Sequence, residues 1–222
     1  MTEISNNSLG IELFPEFKTL YALISSEVNG LDDAQLDFTS DKWGWSEWSI
    51  RMQLSHMASL IPRWLVARWG QETFPDGNHG LGNLTPIVDS PSDRRLDDEV
   101  FRDIADIMNM LNKCIGVANR VLSEKPVKVL RERSIRRDPT PQWLSMSRAH
   151  PRGVTIEGTP QKGEMAAGTM SLEATFRHIY FEEITHLYNI QRLKKAQGLQ
   201  SFVDIPKVGY WTLDDWDRSE PN

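Results

Sequence analysis

The spacing Glu182-x-x-x-His186 is the feature of this chain that most directly suggests chemistry. On a helix, residues four apart lie one turn apart on the same face. Placed on a helical wheel, both side chains fall at the edge of an apolar stripe that includes Phe176, Ile179 and Leu187. Burying an unpaired carboxylate or imidazole is costly. A divalent metal ion would satisfy both groups at once.

A third candidate ligand, His56, belongs to a different predicted helix and lies beside its apolar stripe, between Met52 and Leu60. A single histidine in such a place more often has a structural role. Metal sites in helical bundles, however, are assembled from inward side chains on facing helices. Together, His56, Glu182 and His186 would form the two-nitrogen, one-oxygen ligand set of a catalytic zinc site, with a fourth position left to water.

Two further ionisable residues accompany the pair on the same predicted helix. His178 lies one turn before Glu182, and its possible roles are an additional ligand, a hydrogen-bond partner of Glu182, a general base or a plain polar residue at the mouth of a bundle. Glu183 falls near the centre of the apolar stripe, where it needs a partner. A role beside His56 or an ion pair with Arg51 would meet that need. Both His178 and Glu183 are therefore candidate catalytic residues.

Other aromatic and histidine residues receive weaker assignments. The cluster Trp43, Trp45 and Trp48 is interpreted first as a hydrophobic anchor between the first two helices. A wall at the entrance of a ligand pocket or a dimer contact are the alternatives. His79 and His150 fall in predicted loops and are assigned no role.

Four amphipathic segments must position these residues. The first is predicted over 11–28, the third over 96–122 and the fourth over 171–196. The second is predicted to begin at a cap, Ser46 or Ser49, and to end at Gly70. The first ends at Asn29-Gly30 and is followed by a short helical turn over 31–36, whereas the second depends on a serine N-cap. Glycine, proline and asparagine residues make 71–91 a loop. The stretch 127–168 is expected to be an irregular insert with short strands around 127–130 and 154–157.

These elements predict an all-α fold, a four-helix bundle forming a single domain over residues 1–222. The connections after the second and third helices are too long for tight hairpins, so at least one long crossover connection is expected. Cys114, the only cysteine, lies in a helical pattern and is expected in the core. The first residues do not resemble a secretory signal, and no apolar run reaches the about 20 residues that span a bilayer. We therefore expect a soluble, cytoplasmic protein.

The charge of the chain also limits its partners. The formal net charge is −6, which argues against a general nucleic-acid binder, since such binding neutralises phosphates with cations. Basic residues nevertheless crowd the segment 125–152. The simpler interpretation is a solvated loop region, and the alternative is a docking surface for an anionic small molecule. The cations in this segment are Lys125, Lys128, Arg131, Arg133, Arg136, Arg137, Arg148 and Arg152.

The order of these motifs resembles the DinB/YfiT-like superfamily of helical-bundle metalloenzymes. The resemblance rests on Trp48-Ser-Ile-Arg51 leading to His56 on the second helix, followed by the acid/histidine pair on the fourth. It covers roughly residues 11–199, with a longer insert before the last helix than is usual. The commonest fourth-helix motif of the family is His-x-x-x-His. Here Glu182 stands at the first ligand position, as in the mycothiol-dependent maleylpyruvate isomerase branch, which is similar in using His, Glu and His.

The resemblance implies a set of functional expectations. His56, Glu182 and His186 would hold a divalent metal, with zinc favoured and nickel an alternative, and Glu183 stands where many relatives carry an acid. Relatives act as transferases or isomerases that use a low-molecular-weight thiol, and they commonly form homodimers. A positively charged metal centre can bind a thiol as thiolate or lower the pKa of water. The substrate would be a small molecule, with neither nucleic acid nor membrane as partner.

Three functions are consistent with these residues. The first is a metal-dependent, thiol-using S-transferase or isomerase. The second is a non-catalytic metal-binding or dimeric interaction bundle, in which the site is vestigial or structural. The third is a metal-dependent hydrolase, because the same centre could present hydroxide to a substrate. Thioether formation or isomerisation, as opposed to addition of water, would separate the first from the third.

Overall fold

A computed structural model describes residues 4–150 and 152–221. It is mostly helical, which confirms the coarse prediction, and it also contains a small antiparallel sheet. The described residues form the α-helices α1 Gly10–Leu13, α2 Leu20–Val28, α3 Asp33–Leu36, α4 Ile50–Leu65, α5 Gly70–Thr73, α6 Thr85–Val88, α7 Ile104–Glu124, α8 Val127–Glu132, α9 Trp143–Ala149 and α10 Leu172–Ala196. The strands are β1 Ser134–Thr140, β2 Val154–Ile156 and β3 Ala166–Ser171. Within the described residues, no helix is long and apolar enough to cross a membrane.

The chain divides into two compact units. The first comprises the described residues within Met1–Pro15, Arg120–Glu182 and Lys207–Trp216. The second comprises those within Glu16–Asn119, Glu183–Pro206 and Asp217–Asn222. Helices α7 and α10 each contribute residues to both units. The expectation of a single domain over the whole chain stays a prediction.

The first unit contains the three-stranded sheet, in the order β1-β3-β2. Strand β3 pairs antiparallel with both neighbours, with Ser134 opposite Ser171 and Val154 opposite Met170. Gly168 is required at the centre, because a Cβ there would lie 1.9 Å from the carbonyl oxygen of Thr155. The strand predicted around 154–157 is confirmed as β2. The strand predicted around 127–130 is wrong, since this segment is α8, whose buried residues Val127 and Leu130 are three apart, as on a helix face.

Helix α4, in the second unit, begins where the sequence predicts and ends earlier. The Ser49 hydroxyl oxygen accepts a hydrogen bond from the Met52 amide at 3.3 Å, which confirms Ser49 as the N-cap. The predicted end at Gly70 is wrong, because α4 ends at Leu65. The amides of Val66 and Ala67 both donate to the carbonyl oxygen of Pro62, so the α-helical pattern stops, and Gly70 instead begins α5.

The other predicted helices differ in how well the structure supports them. The prediction of one continuous helix over 11–28 is wrong. The structure has three successive elements there, namely α1, a 3₁₀ turn at Pro15–Lys18 and α2. Pro15 causes the break, because a proline disfavours the helical conformation of the residue before it. The third helix begins at Ile104 rather than at residue 96. Val100, which a helix beginning at residue 96 would place on its buried face, is 55% exposed. The amides of residues 100 and 101 instead donate to the Asp97 carbonyl. The short turn at α3 and the long α10 are confirmed.

A buried ion pair links α2, α10 and the segment after α10 within the second unit. Glu27 and Lys194 are 0% and 1% exposed. The Lys194 ammonium donates to the Glu27 carboxylate and, at 2.7 Å, to its backbone carbonyl. The other Glu27 oxygen accepts from Gln191 at 2.9 Å and from the amides of Phe202 and Val203 at 3.0 Å. The carboxylate is therefore satisfied by four donors without water.

We predict that removing one partner of this pair is strongly destabilising. Lys194→Met should lower the free energy of unfolding by about 3–5 kcal/mol, because it leaves a carboxylate buried without its cation. Adding Glu27→Gln should recover part of that loss. Urea denaturation measures both. As a control, Arg136→Gln, which removes an exposed pair with Glu157, should change stability by less than about 1 kcal/mol. Equal effects of Lys194→Met and Arg136→Gln would contradict the prediction.

Candidate metal centre

The structure brings the three predicted ligands together. His56 comes from α4, and Glu182 and His186 come from consecutive turns of α10. One possible ligand atom of each lies within 4.8 Å of the others, and the two imidazole centroids are 4.5 Å apart. His56 is buried, whereas Glu182 and His186 are partly exposed, so the group can be reached from solvent.

The His56 ring is held by a backbone carbonyl. Its Nδ1 lies 2.8 Å from the carbonyl oxygen of Arg94, which also accepts from the Ser59 hydroxyl at 2.6 Å. A carbonyl oxygen can only accept, so Nδ1 carries a proton. A histidine that ligates a metal through Nε2 requires this arrangement, with the other ring nitrogen donating to an oxygen.

Arg94 adopts a backbone conformation that non-glycine residues rarely use. Its φ is +54°, in the left-handed region that costs an ordinary side chain roughly 1 kcal/mol or more. This conformation accompanies the carbonyl contact with His56 and Ser59. The Arg94 guanidinium meanwhile lies 5.2 Å from the centre of the Trp48 ring. Both the backbone and the side chain of this residue thus border the candidate centre.

The His186 ring is held in the same way by a side-chain amide. Its Nδ1 donates to the Oε1 atom of Gln53. The orientation of that amide is set by its NH₂ group, which donates to the carbonyls of Trp48 at 3.3 Å and Trp45 at 3.5 Å. Because Oε1 must accept, His186 also carries a proton on Nδ1. Both imidazoles therefore donate from the same ring nitrogen.

Trp48 provides an aromatic wall beside both imidazoles. Its ring stacks on His186, with centroids 6.1 Å apart and planes 15° apart, and lies 5.2 Å from the His56 ring. This contact favours the pocket-wall interpretation for Trp48. Trp45 is buried and its ring lies 5.3 Å from the Arg192 guanidinium of α10, so the anchor between the first two helices stays a prediction.

His178 belongs to a buried cluster in the first unit. Its Nδ1 lies 2.7 Å from the hydroxyl oxygen of Tyr210 and 4.0 Å from a carboxylate oxygen of Glu182. The same hydroxyl lies 3.3 Å from Nε2 of His150, which is fully buried and stacks on Phe181. Burial is the main cause, and the nearby His178 the second, of a His150 pKa lowered to about 3. His150 is therefore neutral. Burial raises the pKa of Tyr210.

Glu183 is completely buried in the second unit. Its charge acts on Cys114, the pKa of which is raised first by burial and then by Glu183. The alternative of an ion pair between Glu183 and Arg51 is wrong, because the Arg51 guanidinium binds Asp33 and Asp37 at 2.7 and 2.6 Å. Cys114 is fully buried, as expected.

The basic segment 125–152 is largely folded and largely paired with acids. It contributes α8, β1 and α9, so the interpretation as a loop region is wrong. Its ion pairs within the first unit are Lys128 with Glu132, Arg131 and Arg152 with Glu173, Arg136 with Glu157, and Arg148 with Asp215. Lys162 and Arg148 lower the pKa of Asp215 to about 2. Local carboxylates thus already face most of the cations proposed to dock an anion.

Several residues of the centre were not predicted. Gln53 had a usable signal, since a polar side chain three residues before His56 lies on the same buried helix face. The contact with the Arg94 carbonyl had no signal in the sequence, because every residue carries a backbone carbonyl. His150 lies outside a helix, as predicted, directly after the last residue of α9, but it is fully buried.

No family model, curated protein or solved structure matches this chain.

The buried, neutral His150 predicts a pH-dependent stability. Its pKa of about 3 lies below the value near 6.5 of an unfolded histidine. The stabilisation is therefore complete above about pH 6.5 and is lost as the pH falls towards 3, since only the unfolded chain takes up the proton. When the pH falls from 7 to 5, the parent chain should lose about 2 kcal/mol more of its free energy of unfolding than His150→Gln loses. Urea titrations in a chelator measure the difference, and identical pH profiles would contradict the assignment.

Proposed function

We propose that this chain is a metal-dependent enzyme in which His56, Glu182 and His186 hold a divalent ion, zinc in the first place and nickel as the alternative. The observation that supports the proposal is the matched hydrogen bonding of the two imidazoles in a group that includes the Glu182 carboxylate. Each imidazole donates from Nδ1 to an oxygen, so each would ligate the ion through Nε2. Two neutral imidazoles and one carboxylate are the donor set of catalytic zinc sites.

The proposed framework is a four-helix bundle of the DinB-like type. Its members would be α2, α4, α7 and α10, with the insert between α8 and α10 as an addition to the bundle. The second unit alone contains α2, α4, most of α7 and the later half of α10. The motif order Trp48, His56 and Glu182-x-x-x-His186 supports the same assignment. A homodimer is proposed by resemblance.

The proposed reaction is a thiol-dependent S-transfer or isomerisation of a small molecule. A divalent ion with one carboxylate ligand retains net positive charge, and it would lower the pKa of a bound thiol or water. The chain's own residues prepare the site. Gln53 and the Arg94 carbonyl orient the imidazoles, and Trp48 keeps one side of the site apolar. Excluding water on that side strengthens electrostatic interactions at the centre.

His178 and Glu183 are proposed to assist this reaction. His178 lies 4.0 Å from Glu182 and is fixed by the Tyr210 hydroxyl, so it can hold a proton close to the ligand carboxylate. Glu183 places a second, fully buried carboxyl next to Glu182 in the chain. In its ionised form this carboxyl would favour a cation nearby.

The proposal predicts metal binding that depends on the three ligands and on the residues that orient them. Purified, tag-free protein should contain about one metal ion per chain by plasma mass spectrometry, and His186→Ala should contain none. Gln53→Leu should bind zinc about 10- to 100-fold more weakly, as is typical when a group that orients a ligand is lost. His79→Ala, which removes a histidine outside the centre, should match the parent chain.

The same proteins test the reaction. With a panel of low-molecular-weight thiols and electrophiles, the parent chain should form a thioether or an isomerised product, and His186→Ala should not. Hydrolysis products alone would replace the transferase proposal with a hydrolase. A folded protein that takes up no zinc would overturn the enzyme proposal altogether.

A further inference from the structure

The turn that supplies the acceptor for His56 contains a residue that does not favour its own conformation. The Arg95 amide donates to the Ser92 carbonyl at 2.8 Å, which closes a four-residue turn with Asp93 and Arg94 at its centre. Arg94 has a φ of +54°, whereas glycine is the usual residue at a left-handed third position of such a turn. Backbone strain of this kind persists where surrounding contacts impose it, and it is concentrated at functional sites.

One of the contacts around Arg94 is a buried hydroxyl on α4. Ser59 is 0% exposed, and its hydroxyl donates to the Arg94 carbonyl at 2.6 Å. The same hydroxyl lies 3.0 Å from the backbone carbonyl oxygen of His56, a contact that serine hydroxyls often make about one turn back along a helix. Ser59 therefore connects the backbone of His56 to the oxygen that binds the His56 ring at 2.8 Å.

The Arg94 side chain does little to hold this carbonyl in place. It is 59% exposed and pairs at 3.2 Å with Asp93, which is 67% exposed. Exposed ion pairs contribute little to stability. A group that orients a metal ligand must nevertheless be held to within about 0.5 Å. The buried bond from Ser59 can provide that restraint.

Ser55, one turn before Ser59 on α4, binds the same segment of chain at a different atom. It is 2% exposed, and its hydroxyl accepts from the Leu96 amide at 3.1 Å. The Leu96 amide also lies 3.4 Å from the backbone carbonyl oxygen of Ser55, so the segment keeps a contact with α4 when the Ser55 hydroxyl is removed. The two serines are thus similar buried hydroxyls on one helix face, and Ser59 is the one that reaches the Arg94 carbonyl.

We propose that Ser59 is a positioning residue for the metal ligand His56. Its hydroxyl holds the Arg94 carbonyl in the strained turn, and that carbonyl fixes the His56 ring by accepting from Nδ1, which leaves Nε2 for the ion. The consequence for metal binding rests on the proposed function, whereas the hydrogen bonds themselves do not require a metal.

Zinc affinities of Ser59→Ala and Ser55→Ala, measured by competition with a chromophoric chelator, test the proposal. Each substitution removes one buried hydroxyl from the same helix face, so urea denaturation should show similar losses of stability. Ser59→Ala should bind zinc about 3- to 10-fold more weakly than the parent chain, which corresponds to the loss of one neutral hydrogen bond. Ser55→Ala should bind zinc as the parent chain does. Equal zinc affinities of the two variants would overturn the proposal.

Imidazole ¹⁵N spectra of the metal-free proteins at about pH 8 provide a measurement that does not depend on zinc. The parent chain and Ser55→Ala should show His56 in one form, protonated on Nδ1, and Ser59→Ala should show a mixture of the two tautomers. An unchanged His56 spectrum in Ser59→Ala would refute the role of Ser59. If the parent chain takes up no zinc, the proposed function fails, and these spectra still decide whether Ser59 orients His56.

Two substitutions of Arg94 keep the test decisive if Ser59→Ala fails to fold. Arg94→Gly keeps the carbonyl and suits the left-handed conformation, so its zinc affinity should equal that of the parent chain. Arg94→Val introduces a β-branched side chain that is strongly disfavoured at positive φ, so it should displace the carbonyl and weaken zinc binding at least 3-fold. Both substitutions remove the guanidinium, so its loss cannot explain a difference between them. Equal zinc affinities of Arg94→Gly and Arg94→Val would contradict the proposal.

Discussion

The candidate centre depends on one constraint: two imidazoles lie side by side, and the Nδ1 atom of each faces an oxygen that can only accept. The Arg94 carbonyl imposes this state on His56, and the Gln53 amide imposes it on His186. Each of these acceptors is itself held, by the Ser59 hydroxyl bond in one case and by two backbone carbonyls in the other. Two imidazoles oriented in this way beside a carboxylate have the arrangement of ligands for a cation, and a divalent ion would complete it.

Much of this arrangement could be predicted from residue spacing. The apolar periodicity identified α10 almost to the residue, Ser49 identified the start of α4, and the Glu182-x-x-x-His186 spacing placed two ligands on one face. The structure then brings His56 to the same place. The errors arose where tertiary contacts or backbone geometry decide. Pro15 breaks the first helix, the Pro62 carbonyl accepts from two amides where α4 ends before Gly70, and the Val127–Leu130 segment is helical rather than a strand. The Arg94 carbonyl and the burial of His150 leave no trace in local sequence.

Charge is organised differently in the two units. In the first, the basic segment meets acids such as Glu173 and Asp215, so its cations are locally balanced. In the second, Glu27 and Lys194 neutralise each other in the core. Buried charge that is fully paired serves the fold. Ligand chemistry is expected where ionisable groups meet instead, as at the imidazoles of His56 and His186 beside the Glu182 carboxylate.

The most direct measurement of the central claim is X-ray absorption at the zinc edge of the zinc-loaded protein. The account predicts two imidazole nitrogens at about 2.0–2.1 Å, one or two oxygens at about 2.0–2.2 Å and no sulfur. His186→Ala should lose the imidazole scattering of one ring. A spectrum with oxygen ligands alone, or one that is the same in the parent chain and in His186→Ala, would contradict the assignment of His56, Glu182 and His186 as the metal ligands.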